Sequence, residues 1–195
     1  MLSVIIATEG QDRAMVPTLA ALVPGSAAGL VREVILVDPA PSDMLRTIAD
    51  HTGCELVETP GARGRALAEG AGMAKSDWLM FLRPGAVLDA GWIDEIAQFL
   101  AESALTPRGQ PRAALFRFAR STYDAPRPAD ALRAFMRLVV PSPDQGLVIA
   151  RSFYRDIGGH RASAMRSEEQ LLRKIGRARR MTLRTKVHVA ERKAL

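Results

Sequence analysis

Apolar residues along this chain follow two patterns in alternation, short unbroken runs and longer stretches at helical spacing. Leu2–Ala7 is a run rich in β-branched residues, and Glu33–Asp38 repeats it with Val34, Ile35, Leu36 and Val37. Runs of this kind suit strands covered on both faces, as in a parallel sheet. Between them Met15, Leu19, Leu22 and Val23 recur at helical spacing, and Pro24-Gly25 is expected to stop that helix. Ser42 or Asp43 can cap a second helix carrying Leu45, Ile48 and Ala49, and Glu55–Glu58 is a third strand. A helix from about Arg63 to Ala74 presents a small-residue face of Ala66, Leu67, Gly70 and Ala71. Trp78–Leu82 is another buried strand, and Asp89 is expected to cap a helix bearing Trp92, Ile96, Phe99 and Leu100. Strand and helix in strict alternation predict an α/β domain.

From Thr106 to Arg112 the composition turns to Pro, Gly and polar residues, a connection between two halves of one domain, 1–105 and 106–195. The second half is less regular. It has a strand near Ala113–Ala119, a helix near Asp130–Val139, a turn at Pro141-Ser142-Pro143 and a strand at Gly146–Ala150. A helix ending at Gly158-Gly159, a basic helix from about Ser167 to Ile175 and a last strand near Leu183–Val189 complete it. A chain of 195 residues is long enough for one such domain with its own core.

Charge changes the picture. The chain carries a net +6, which first suggests nucleic acid or an anionic membrane. Residues 1–105, however, hold seven Lys and Arg against fourteen Asp and Glu, a net of −7, so the excess lies in the second half. Residues 161–195 alone hold eleven basic and three acidic residues. Their basic segment, with Arg173, Lys174, Arg177, Arg179 and Arg180, has no aromatic residue interleaved for base stacking, which argues against nucleic acid. Two readings stay open, a solvated basic face and contact with an anionic membrane surface. The single cysteine, Cys54, excludes an internal disulfide and suits a reducing compartment. No apolar run is long enough to span a bilayer. We therefore expect a cytoplasmic protein without a leader, peripheral at the inner face of the membrane if the basic end does meet lipid.

Strands of an open parallel sheet deliver their C-terminal ends to a common crevice. The residues that follow them here are Thr8-Glu9, Asp38 and Arg83-Pro84-Gly85. Asp38 ends an apolar strand, where a carboxylate could accept hydrogen bonds from a base or ribose; alternatively Asp38 and Asp43 cap the next helix. His51, His160 and His188 are single and widely spaced, so they read as surface or core histidines and not as zinc ligands. Trp78 and Trp92 lie on apolar faces and read as core.

Several strings, in order, resemble a family 2 glycosyltransferase of GT-A fold: SVIIAT at Ser3–Thr8, EVILVDPAPSD at Glu33–Asp43, GARGRALAEG at Gly61–Gly70 and DWLMFLRPGAVLDAGW at Asp77–Trp92. DQGLVIARSFYRDIGGHR at Asp144–Arg161 resembles the same family's second half. The resemblance implies inverting transfer of a sugar from a nucleotide-sugar donor to an unknown acceptor. It implies that Ala7, Thr8, Glu9 and Asp38 hold the nucleotide, that Arg65 faces it, and that Glu168, or Glu169 beside it, is the general base. Asp144 falls where the family lines the acceptor side.

The departure from the family lies after the fourth strand. Arg83-Pro84-Gly85 stands where the family has an Asp-x-Asp motif for Mg²⁺ or Mn²⁺, so the usual metal ligands are absent. Arg83 could pair with the diphosphate in the metal's stead, because a guanidinium matches phosphate geometry. Alternatively the site has decayed, and the protein is a catalytically inactive GT-A-fold protein with a binding or regulatory role. Glu168 and Glu169 likewise have a plain alternative, as first-turn acids favoured by the helix dipole.

Overall fold

The computed structural model describes residues 1–105, 112–119, 141–164 and 166–189. The elements run β1 (Leu2–Ala7), α1 (Asp12–Ala27), β2 (Val31–Asp38), α2 (Asp43–Thr52), β3 (Glu55–Glu58), α3 (Arg63–Met73), β4 (Trp78–Leu82), β5 (Ala86–Leu88), α4 (Trp92–Leu105) and β6 (Ala113–Ala119). After them come a 3₁₀ turn (Pro143–Gln145), β7 (Leu147–Ala150), α5 (Arg151–Asp156), α6 (Ser167–Ile175) and β8 (Arg180–Val189). The helix expected near Asp130–Val139, and nearly all of the 106–112 connection, lie outside the described residues.

Eight strands form one sheet in the order β3-β2-β1-β4-β7-β6-β8-β5. β3, β2, β1 and β4 are parallel, β7 runs antiparallel between β4 and β6, and β6 and β8 are again parallel. Side chains alternate across each strand. Val4 and Ile6 of β1 therefore join a core with Met15, Leu19, Leu45, Trp92, Ile96 and Phe99 from α1, α2 and α4. Ile5 and Ala7 join the opposite core with Leu67, Ala71, Phe153, Leu171 and Ile175 from α3, α5 and α6. Such two-sided burial explains why β1 is an uninterrupted apolar run.

Two expectations need correction. Pro24-Gly25 does not stop α1, which continues to Ala27. Proline's fixed φ is itself helical, and its lost hydrogen bond falls near the helix end, where Met15, Leu19 and Leu22 already anchor α1 to the sheet. Gly25 serves packing instead: a Cβ there would lie 2.6 Å from Trp92 Cζ2. Nor does Asp89 cap α4, which starts at Trp92. The short strand β5 draws it beside β8, where its N–H donates to Lys186 O (3.0 Å) and its carboxylate receives His188 Nε2 at 2.7 Å. At α2 the choice between Ser42 and Asp43 falls on Ser42, whose Oγ accepts the Leu45 N–H at 3.1 Å.

β1 and β4 are the topological switch point, since the chain winds outward from β1 through β2 to β3 and then returns to its other side. The crevice beyond their C-terminal ends is where this architecture places ligands. Arg112 and Arg179, both over the Phe153 ring, and Arg180 lie at the starts of β6 and β8, the end of the strands away from this crevice. Among the described residues no helix is long and apolar enough to cross a membrane.

Candidate functional site

The crevice is framed by two loops that one carboxylate ties together. Asp38, at the end of β2, accepts the Thr8 hydroxyl and the Gly10 N–H (3.0 Å) on Oδ2, and the Ala40 N–H (2.9 Å) on Oδ1. It is 2% exposed. Burial alone would raise its pKa, but the donors from Thr8, Gly10 and Ala40 hold it below its ordinary value. Asp38 therefore fixes the loop after β1 as well as its own, and it is not the helix cap. In that loop Glu9 takes a left-handed backbone (φ 49°), uncommon for a residue with a side chain.

At the centre two guanidiniums converge on one oxygen. Arg63 Nε and Arg83 Nη2 each lie 2.9 Å from Glu168 Oε2. Arg63 Nη1 also donates to Ala7 O (2.9 Å) and to Glu9 Oε2 (3.2 Å), and Arg83 Nη1 pairs with Asp144 Oδ1 at 3.3 Å. The network gathers Ala7, Glu9, Arg83, Asp144 and Glu168, five of the nine residues the sequence nominated, from four separate parts of the chain. Burial would raise the Glu168 carboxyl, yet the charges of Arg63 and Arg83 overcome it and keep the group ionised below its ordinary value. Arg63 Nη2 and Arg83 Nε are enclosed and have no partner among the described residues. Two enclosed N–H donors are thus left over within a cluster of two guanidiniums and three carboxylates, Glu9, Asp144 and Glu168, and donors of that kind are costly unless something accepts from them.

The arginine in the crevice is Arg63, and not Arg65, which the resemblance implies. Residues two apart on a helix point to nearly opposite sides. Arg65 accordingly lies exposed and faces Glu69 one turn on, at 3.9 Å, while Arg63, the first residue of α3, enters the crevice. Its place at the helix start, directly after the Gly61-Ala62 turn, was the available signal. Glu169 stands next to Glu168 in the first turn of α6 but is not part of the ion-pair network.

Glu168 reaches Arg63 because α3 and α6 approach closely at Gly64. A Cβ on Gly64 would sit 2.8 Å from Ser167 Cβ and still nearer the Arg161 carbonyl oxygen. Behind Glu168 lies a second buried set. Tyr154 Oη is 3.0 Å from His160 Nδ1 and accepts the His160 backbone N–H at 3.0 Å. Phe81 packs against both rings. Burial pushes the Tyr154 phenol up to about 12. Burial likewise pushes His160 down to about 4, with the Arg63 charge acting in the same sense and Glu168 opposing.

The depressed His160 gives an expected acid response. Between pH 6.5 and 4 the unfolded chain binds a proton at His160 that the folded chain does not. Stability is therefore full above pH 6.5 and falls as pH drops toward 4, by about 3 kcal/mol. Urea unfolding across that window should show the decline, and His160→Phe should flatten it; an unchanged slope would contradict the assignment.

A divalent metal does not suit this donor set. Among the described residues no group of three or more His, Cys, Asp or Glu comes together as a metal site. The carboxylates nearest the Arg83 position, Asp144 and Glu168, already face guanidiniums, which repel a cation.

No protein-family model matches the chain, and no curated protein matches it. Solved structures do. Glucosyl-3-phosphoglycerate synthase from Mycobacterium tuberculosis, in complex with Mg²⁺ and UDP, aligns with a TM-score of 0.68 and 19% identity over 100% of this chain and 72% of that one. The same enzyme with Mn²⁺, UDP and glucosyl-3-phosphoglycerate aligns at 0.65 and 17% identity, over 100% and 73%. S. aureus TarS 1-349 in complex with UDP aligns at 0.70 and 14% identity, over 97% of this chain and 60% of that one. At such identities the likeness carries the fold alone, and the chain has the α/β architecture of the GT-A glycosyltransferases.

Proposed function

We propose that the protein transfers a sugar from a nucleotide-sugar donor to an acceptor with inversion, using guanidiniums in place of a metal. The observation that carries this is the pair Arg63 and Arg83, two guanidiniums converging on one carboxylate at the switch-point crevice. A diphosphate matches the guanidiniums in charge and geometry and would draw them from the carboxylates they now face. Thr8, Glu9 and Asp38 shape the nucleotide side, and Asp144 the acceptor side. UDP, present in the neighbouring structures, is the first nucleotide to try.

In the reaction the acceptor oxygen bonds to the anomeric carbon as the bond from that carbon to phosphate oxygen breaks. The electron pair leaves with the diphosphate, and the acceptor proton passes to Glu168. Oε2 of Glu168 is held by two arginines, while Oε1 has no partner among the described residues and is the oxygen that can take the proton. Those arginines also weaken Glu168 as a base. A diphosphate drawing on the same guanidiniums lowers the positive field around Glu168, so its basicity rises when the donor is bound.

Thermal-shift measurements with nucleoside diphosphates should show stabilisation without Mn²⁺. Arg83→Ala should weaken binding about 10-fold or more, the scale of a lost hydrogen bond to a charged group. Unchanged affinity in that variant would sink the assignment of Arg83. A closed ion-pair network is also what an inactive GT-A-fold protein could keep, and no response to any nucleotide would select that second reading. For an anionic membrane surface the candidate contact is the basic segment with Arg173, Lys174, Arg177, Arg179 and Arg180.

A further inference from the structure

A cavity of about 20 Å³ has both Glu168 and His160 in its wall, with Phe81, Leu115, Leu147 and Leu172 among the apolar residues around it. That volume holds about one water, which needs polar partners to stay. His160 and Glu168 supply the ionisable side chains of its wall. We propose that Tyr154 and His160 are positioning residues for Glu168, acting through a single water in this cavity. The proposal rests on Glu168 being the base.

The hydrogen-bond inventory fixes the direction. Tyr154 Oη accepts the His160 N–H and has one proton to give, and His160 Nδ1 is the acceptor within reach. Donation from Oη to Nδ1 puts the ring hydrogen of the neutral imidazole on Nε2. His160 lines the cavity and its Nε2 has no hydrogen-bond partner among the described residues, so a water there can accept the Nε2–H. The water in turn donates to Glu168 Oε1, the oxygen left over when both arginines take Oε2. Oε1 is thereby aimed by the water while Oε2 is held by the arginines. The charged and titratable groups facing Glu168 are Arg63 from α3, Arg83 after β4 and His160 after α5, with Glu9 and Asp144 behind the guanidiniums.

The test is nuclear magnetic resonance on the full labelled chain, comparing wild type with Tyr154→Phe and His160→Phe. In the wild type the His160 ring should show a bare Nδ1 and a protonated Nε2 throughout the neutral range. Tyr154→Phe should lose that single tautomer. Both variants should raise the titration midpoint of the Glu168 carboxyl, because a donor to its ionised form has been removed. A merely structural role for the pair would leave that midpoint where it is. An Nδ1-protonated ring in the wild type, or a Glu168 midpoint unmoved in the variants, overturns the proposal. If His160→Phe does not fold, Tyr154→Phe decides, since it removes one oxygen and keeps the ring. Nucleoside diphosphate binding by the same wild-type sample tests the transfer reading separately, because the tautomer and the midpoint do not depend on it.

Discussion

Gly64→Ala should cost the protein about 1–3 kcal/mol, the usual price of overpacking, and should pull its two halves apart at the site. The new Cβ would meet Ser167 Cβ at 2.8 Å and, closer still, the backbone oxygen of Arg161. A flexible side chain can swing away, but a backbone carbonyl moves only with its segment. The segment that must move leads directly into α6, which carries Glu168, while Gly64 is next to Arg63. One methyl group therefore drives apart the partners of the 2.9 Å ion pair. Gly72→Ala is the control within the same helix, since nothing lies within 4 Å of its added Cβ. Relief of glycine's conformational freedom should there stabilise by about 0.5–1 kcal/mol. Urea unfolding of the two variants should thus move in opposite directions, and nucleotide binding should weaken only in Gly64→Ala. If both behaved alike, the close approach of α3 and α6 would have no bearing on the site.

The contrast between Gly64 and Arg63 shows what sequence alone could deliver. The strands were legible because residues such as Val4, Ile5 and Ile6 are buried on alternate faces, so the run is apolar throughout. The ends of β1, β2 and β4 then located the crevice, and with it Glu9, Asp38 and Arg83. The role of Asp38 was only half visible. Its three internal donors come from a loop 28 to 30 residues away and from Ala40, and such partners leave no local pattern. Arg63 and Arg65 are alike in composition and neighbourhood, and only the phase of the helix start separates the one in the crevice from the one outside. His160 looked like any isolated histidine. Its significance depends on Tyr154 six residues back and on Phe81 from another strand, a packing relation with no spacing rule. Distant contacts set the surroundings of Asp38 and His160, and a local helix phase sets the choice between Arg63 and Arg65.

Glu168→Gln should lower the rate of transfer about 10²–10⁴-fold, the range for loss of a general base, while strengthening the binding of nucleoside diphosphate. The two effects have one cause. In the native protein the Glu168 carboxylate occupies the place between Arg63 and Arg83 to which a diphosphate oxygen would be drawn, so the protein carries its own competitor. Glutamine keeps the shape and one accepting oxygen but removes the negative charge, leaving the guanidiniums more available to the ligand. Stability should fall at the same time by about 1–3 kcal/mol, because hydrogen bonds to a charged acceptor become bonds to a neutral one. Acid should reproduce the change in the wild type. Glu168 titrates below the ordinary carboxylate range, so its contribution to stability is complete at neutral pH and is lost as pH falls through that lowered value. Calorimetric titration of a nucleoside diphosphate into both proteins should accordingly find tighter binding in Glu168→Gln at neutral pH and a difference that narrows as the wild type becomes protonated. Weaker binding in the variant would mean that Glu168 organises the arginines for the ligand and does not compete with it, and the carboxylate would then have to stay between them throughout the reaction.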